Sequence, residues 1–166
     1  MERVPRTIPY PESGLDNVLL HNVPIWVCAN RHEDVQIPAV EQLHNVLAQV
    51  LLSQPVSLAG QDIRFLRKHF GYSARAFSAL VGMNHVYLSR LENGRRPIPK
   101  RLDALVRCAI GLAVAERSKR PLSRSVLAAL AHLESSFDFE RHVELIDTSG
   151  PHRLADPSHV WREANT

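Results

Sequence analysis

The sequence predicts a mainly α fold, and two observations support this prediction. Apolar residues recur at helical spacing in most segments after residue 39. Two short helical patterns, at residues 73–81 and 84–93, are separated by only Gly82 and Met83. Glycine lets the chain turn sharply at that place, so the two patterns are predicted to form a helix-turn-helix.

The first 57 residues are predicted to form a small unit of strands and one helix. The proline-rich residues 1–14 are expected to be an irregular arm. Residues 17–21 and 24–29 are rich in Val, Ile and Trp, which predicts two short strands with a turn at Asn22.

A third strand at residues 34–37 and an amphipathic helix from Ala39 complete this predicted unit. The helix is expected to end before Gln54 and Pro55. The apolar residues predicted to hold the unit together are Leu19, Leu20, Ile25, Trp26, Val27 and Leu43.

Residues 58–118 are predicted to be a helical domain that contains the helix-turn-helix. Its first helix begins at Gly60 or Gln61, covers the residues up to Phe70 and ends at Gly71. Ser73 and Asn84 are expected to cap the next two helices. The outward side chains predicted on the first helix are Arg64, Arg67 and Lys68.

The last predicted helix of this domain covers residues 100–117, after Pro99. Cys108 is expected to be a buried or half-buried side chain within it. Its predicted inner stripe is Leu102, Leu105, Val106, Ala109, Ile110 and Ala113.

Residues 119–166 are predicted to hold an extra C-terminal helix at 123–136 and a loosely structured tail. A short strand is predicted at residues 142–146. The apolar stripe of the extra helix must be buried, either on its own domain or across a dimer.

The charge is distributed unevenly along the chain. The net charge is +3, but residues 60–120 contain 13 Lys and Arg and only 4 Asp and Glu, which gives +9. Residues 1–59 and 121–166 each carry −3. A basic excess on the helix-turn-helix segment is expected if this segment neutralises phosphates.

The second helix of the motif has two distinct faces. Because successive residues turn by about 100°, Leu88 and Leu91 share one face and are predicted to pack inward. The opposite face presents an arginine, a hydroxyl and an apolar group, which suit base edges in the DNA major groove. The alternative is a surface helical hairpin of an all-α domain. The outward residues are His85, Val86, Ser89, Arg90 and Asn93.

The run IRFLRKHFGYSARAFSALVGMNHVYLSRLENGRRPIPKRLDALVR resembles the Xre or phage-repressor type of helix-turn-helix. The match includes Gly82, the LSRLENG ending and the helix that follows. This resemblance implies a DNA-binding regulator.

A second resemblance lies upstream. The segment YPESGLDNVLLHN, the short strands and the VEQLHNVL helix are similar to the start of MqsA-type antitoxin regulators. That family carries a zinc site of two CxxC pairs, whereas this chain has Cys28 alone and His32 four residues later. Structural zinc needs four ligands, so no metal or other cofactor is predicted. Whether Cys28 and His32 ever bind metal is left open.

The resemblance also assigns contact residues. The base-reading residues are predicted to be His85, Val86, Ser89 and Arg90. His85 and Ser89 are assigned from the helix face, whereas Val86 and Arg90 match base-reading positions of MqsA-type proteins. The residues predicted to contact phosphate are Ser73, Ala74, Tyr87, Asn93, Arg95 and Arg96. For Tyr87, packing on a neighbour is an equal alternative.

These observations predict a DNA-binding transcriptional regulator that represses its own gene as a homodimer on double-stranded operator DNA. The MqsA-like start and acidic flanks favour an antitoxin with a toxin partner; a solitary regulator or interaction module is the alternative. The nine histidines show no catalytic spacing, so no enzyme is predicted. Two distant cysteines and no apolar leader favour a cytoplasmic location without membrane contact.

Overall fold

The computed structural model describes residues 2–28, 30, 32–118, 144–147 and 153–154. The chain divides into two compact units. The first contains Met1–Val46 and Arg141–Thr166, and the second is Leu47–Glu140. The predicted mainly α fold with N-terminal strands is confirmed. The domain boundaries predicted after residues 57 and 118 stay predictions.

The described part of the first unit is built on a sheet around one long strand. Strand β1 (Glu2–Pro9) pairs antiparallel with β2 (Val18–Val27), and β2 also pairs antiparallel with β3 (Glu33–Val35). Strand β4 (Glu144–Asp147) joins β2 in parallel, and β5 (Arg153–Leu154) pairs antiparallel with β4.

The prediction of an irregular arm at residues 1–14 is wrong, because β1 occupies most of it. Pro5 faces Pro24 across the two strands. Antiparallel strands alternate between facing pairs that exchange hydrogen bonds and facing pairs that do not. Since neither proline has an N–H, this pair must occupy a position of the second kind, where the sheet loses nothing by it.

The two strands predicted at residues 17–21 and 24–29 are in fact the single strand β2. Asn22 does adopt a turn-like backbone, with φ of 59°, but the chain continues in the same direction. Opposite Thr7, the two residues His21 and Asn22 occupy the space of one, which is a β-bulge. Asparagine tolerates this left-handed conformation better than most residues do.

The bulge explains which side chains of β2 are buried. The buried residues are Val18, Leu20, Val23 and Ile25. Buried residues are therefore two positions apart on each side of the bulge but three positions apart across it. Three predicted core residues, Leu20, Ile25 and Leu43, are buried. The other three are only half-buried; these are Leu19, Trp26 and Val27.

Helix α1 (Val40–Ser53) confirms the predicted amphipathic helix and contains the boundary between the units. The second unit continues with α2 (Gly60–His69), α3 (Ala74–Leu80), α4 (His85–Glu92) and α5 (Lys100–Ser118). These four helices match the predicted ones. Their fully buried apolar side chains are Ile63, Leu66, Phe77, Leu88, Leu91, Val106 and Ile110.

Three side-chain predictions in the second unit are wrong. Cys108 is exposed, and Leu105 is 45% exposed, because both lie on the side of α5 opposite its buried residues. Arg67 is not outward, since its side chain is only 12% exposed and bonds to α4.

A buried ion pair joins α5 to the end of α1. Arg107 Nε donates to Asp103 Oδ1 at 2.7 Å, and neither side chain is exposed. The other nitrogens of this guanidinium donate to backbone carbonyls at the end of α1 and just after it, which lack helical partners. Asp103 Oδ2 accepts from the Leu58 amide at 2.9 Å. The carbonyls bound by Arg107 are those of Leu51, Leu52, Gln54 and Val56.

Strand β4 agrees with the strand predicted at residues 142–146. The extra helix predicted at 123–136 and the remaining tail lie outside the described residues. No helix in the described part of the chain is long and apolar enough to cross a membrane.

Candidate nucleic-acid interface

Two side-chain caps define where α3 and α4 begin. Ser73 Oγ accepts from the Ala76 amide at 3.1 Å, and Asn84 Oδ1 accepts from the Val86 amide at 2.7 Å. Both predicted caps are therefore present. Between the helices, Gly82 adopts φ of 66°, the left-handed conformation that favours glycine. The helix-turn-helix predicted from the sequence thus has its expected turn.

Helix α4 is fixed from its inner side by apolar packing and by a close backbone contact. Leu88 and Leu91 are fully buried, as predicted. Gly60, at the start of α2, lies so close to α4 that any side chain there would overlap the Leu91 carbonyl oxygen. The beginning of α2 therefore sets the depth at which the end of α4 packs.

An ionic contact between α2 and α4 was not predicted from the sequence. Arg67 Nε and Nη2 donate to the two carboxylate oxygens of Glu92 at 2.6 and 2.9 Å. Arg67 Nη1 also donates to the Tyr72 carbonyl at 3.1 Å, so one guanidinium joins α2, α4 and the loop before α3. The Glu92 side chain is only 7% exposed. Its hydrogen bonds raise the pKa of the Arg67 guanidinium.

One signal in the sequence could have indicated this contact. Glu92 is the only acidic residue between Asp62 and Asp103, in a segment that is otherwise neutral or basic. A single carboxylate at the end of a helix predicted to approach phosphates would weaken binding if it were exposed. Its burial against Arg67 removes that charge from the surface.

The outer face of α4 is open to solvent. Val86 is 47% exposed, so its methyl groups are available to a binding partner. The four predicted base-reading residues all lie on this exposed face: His85, Val86, Ser89 and Arg90.

Most of the predicted phosphate contacts are also exposed. Tyr87 is half-buried, which leaves both of its predicted roles open. The exposed members of this set are Ser73, Ala74, Asn93, Arg95 and Arg96. Arg95 and Arg96 follow the end of α4 directly, so they add positive charge beside its outer face.

Asn93 already makes hydrogen bonds within the protein. Its Nδ2 donates to the Ser89 carbonyl at 2.7 Å, and its Oδ1 accepts from Arg64 Nη2 at 2.6 Å. Arg64 Nε also lies 3.7 Å from the Glu92 carboxylate. The structure therefore places Arg64, a residue absent from the predicted site, beside the end of α4 as a further cation.

The structure gives Cys28 and His32 a close backbone contact, because the Cys28 amide donates to the His32 carbonyl at 3.1 Å. Cys28 is half-buried and His32 is exposed. Among the described residues, no three Cys, His, Asp or Glu side chains are grouped so that they could hold a metal ion.

Comparison with known proteins bears on the second unit. A family model described as a helix-turn-helix domain matches residues 59–117. These residues form a helix-turn-helix domain. The match supports a helix-turn-helix regulator and suggests DNA as its partner. No curated protein and no solved structure matches the chain.

Proposed function

We propose that this protein is a sequence-specific transcriptional regulator of the Xre type that binds operator DNA as a homodimer and represses its own operon. The observation that supports this proposal best is the exposed outer face of α4, opposite Leu88 and Leu91. A helix presented in this way fits the DNA major groove. The same proposal places the protein in the cytoplasm and assigns it no catalytic activity.

The residues of this face have distinct proposed roles. Arg90 can donate two hydrogen bonds to a guanine edge, and Val86 can contact a thymine methyl group. His85 and Ser89 contact neighbouring base edges. Arg95 and Arg96 bind phosphates, which orients α4 in the groove without reading the sequence.

The remaining phosphate contacts come from both ends of the motif. Ser73 and Ala74 approach one phosphate at the start of α3, where Ala74 offers only its backbone. Tyr87 lies against sugar and phosphate. Asn93 acts together with Arg64, whose guanidinium it already binds.

The first experiment measures binding of the full chain to DNA from upstream of its own gene. Arg90→Ala should lose roughly 1–3 kcal/mol of binding free energy and accept more bases at one operator position. Arg95→Ala should weaken binding to all sequences and reduce the salt slope by about 1. Arg6→Ala, which removes an exposed arginine of the first unit, is the matched control. If Arg90→Ala binds like the control, α4 does not read bases through this residue.

A second function is proposed for the rest of the chain, that of an antitoxin. The support is the resemblance of the N-terminal segment to MqsA-type antitoxins and the net charge of −3 on each flank of the basic segment. Acidic flanks suit a basic toxin. The alternative is a solitary regulator.

Co-expression with the adjacent gene decides between these two. An antitoxin should co-purify with the product of the neighbouring gene and relieve its toxicity. It should still do so when Arg90, the residue proposed to bind DNA, is replaced by alanine. A chain that neither binds nor neutralises that product is a solitary regulator, and its operator binding would be unaffected.

A further inference from the structure

Helix α5 carries a second apolar face that the described residues leave uncovered. Leu105, Cys108 and Leu112 are all exposed, and Leu112 is 61% exposed. Their spacing of three and then four residues places them in one stripe along the helix. Val106 and Ile110, on the opposite side of α5, are fully buried. We call Leu105, Cys108 and Leu112 the outer α5 face.

A charged residue stands at each end of this stripe. Arg101 lies four residues before Leu105, and Glu116 lies four residues after Leu112. Both side chains are exposed, and neither has an ion pair with another described residue. The stripe is therefore an apolar centre between a cation at one end and an anion at the other.

We propose that the outer α5 face binds the same face of a second copy of this chain, with the two α5 helices antiparallel. An axis of twofold symmetry between Cys108 and Ala109 brings Leu105 of one copy opposite Leu112 of the other. The same axis brings Arg101 opposite Glu116 of the second copy. A parallel pair would instead place arginine beside arginine and glutamate beside glutamate.

The helix dipole favours the same arrangement of Arg101 and Glu116. A helix favours negative charge near its N-terminus and positive charge near its C-terminus. Arg101 is in the first turn of α5 and Glu116 in the last, so each charge stands at the unfavourable end of its own helix. In an antiparallel pair, each charge lies beside the favourable end of the partner helix.

The spacing of the stripe also fits a helix pair. Residues that repeat every 3.5 positions remain on the seam when two helices cross at a shallow angle of about 20°. The apolar part spans about 10 Å and the charged ends lie about 22 Å apart along the helix. An interface of this length is small, so we expect a weak dimer in solution that operator DNA stabilises by holding two copies together.

This inference rests on the proposed homodimer, and it specifies which surface forms it. The test uses sedimentation equilibrium of the full chain over a range of concentrations, with and without operator DNA. Leu112→Glu should raise the dimer dissociation constant by more than about tenfold, because it buries a carboxylate in the apolar centre. Its circular dichroism spectrum should not change, since Leu112 is exposed in the monomer. A dimer that Leu112→Glu leaves as tight as wild type overturns the inference.

Charge reversal tests the antiparallel arrangement without removing apolar area. Arg101→Glu and Glu116→Arg should each weaken the dimer, and the double variant should restore it. In an antiparallel pair the double variant again places opposite charges together. A double variant that stays as weak as the single variants overturns this arrangement.

Cysteine cross-linking measures the register directly. In a Cys28→Ser, Cys108→Ser background, one sample carries Leu105→Cys and another Leu112→Cys. With oxidised glutathione, which takes up the two electrons and two protons of the thiols, the mixture should form disulfide-linked dimers and each sample alone should not. Equal cross-linking in each sample alone overturns the antiparallel register.

Two further outcomes separate this inference from the proposed function. If Leu112→Glu is monomeric but Arg90→Ala has no effect on DNA binding, the interface stands and the base-reading proposal fails. If the wild-type chain is a monomer with and without DNA and Leu112→Glu lowers its melting temperature, residues of the same chain cover the face. That result overturns the inference and leaves monomeric DNA binding through Arg90 to be judged separately.

Discussion

The two units use different contacts to hold their elements together. In the first unit, aliphatic side chains of β2 form the core, and the ion pair between Arg6 and Glu33 is exposed. A hydrogen bond joins the partly buried side chains of Tyr10 and His44 in this unit. In the second unit, by contrast, charged side chains are themselves buried. These are Asp62, Glu92, Asp103 and Arg107.

The difference concerns how strictly each arrangement is specified. Apolar contacts are non-directional, so a core built from them tolerates small movements of its elements. A buried charge loses its hydration, and this cost is offset only when all of its partners are in place. The helices that pack against α4 are therefore expected to hold it in one geometry. The DNA contact proposed for α4 requires its side chains to be placed to within about 0.5 Å, and such support would meet that requirement.

The largest expected effect is at Arg107. Arg107→Met should destabilise the second unit by about 3–5 kcal/mol, because Asp103 would keep a buried charge without its partner. The carbonyls at the end of α1 would also lose their donor. Urea unfolding followed by circular dichroism measures this change.

The exposed arginine of the first unit is the control for this comparison. Arg6→Met removes an ion pair that solvent screens, so it should cost no more than about 1 kcal/mol. Equal losses for the two variants would show that buried charge does not distinguish the units.

An intermediate effect is expected at the contact between α2 and α4. Glu92→Gln keeps the shape of the side chain but removes its charge. The amide oxygen can accept only one of the two hydrogen bonds from Arg67, and the guanidinium loses its counter-charge. The expected loss of stability is about 1.5–3 kcal/mol, measured by urea unfolding. Operator affinity should also fall, because α4 would be less firmly oriented.

The control for Glu92 is Glu33, whose carboxylate forms the exposed ion pair with Arg6. Glu33→Gln breaks the exposed pair with Arg6, so it should lower the free energy of unfolding by no more than about 1 kcal/mol. It should leave operator affinity unchanged. If Glu92→Gln binds the operator with wild-type affinity, the contact with Arg67 stabilises the fold but does not orient α4.

The helices of the second unit could be predicted because their signals are local. Residues three and four positions apart decide which face of a helix is buried, and this gave Leu88 and Leu91 the correct orientation. Ser73 and Asn84 cap helices through bonds to residues two or three positions away. The exposed face of α4 follows from the same spacing.

The remaining features depend on residues that are distant in sequence. Pro5 can lie in β1 because its position in the register with β2 needs no N–H from it, and no local pattern reveals that register. Arg67 and Arg107 each look like solvated charges on an amphipathic helix. Apart from Tyr72 and Asp103, the partners of these two arginines are 25 and 51–56 residues away, so only the fold reveals that they are buried.

The smallest expected effect is a pH dependence of stability in the first unit. Burial lowers the pKa of His44, whose Nε2 lies 3.0 Å from the Tyr10 hydroxyl. Because the folded protein binds this proton less readily than the unfolded chain, stability is complete above the unfolded pKa of about 6.5 and falls as pH drops from there to the folded pKa. Urea unfolding between pH 5 and 8 should therefore show a slope that His44→Gln removes. Tyr10→Phe lowers stability at every pH but should keep the slope, because the cause is burial and not the hydrogen bond. A slope that disappears with Tyr10→Phe would assign it to the hydrogen bond instead.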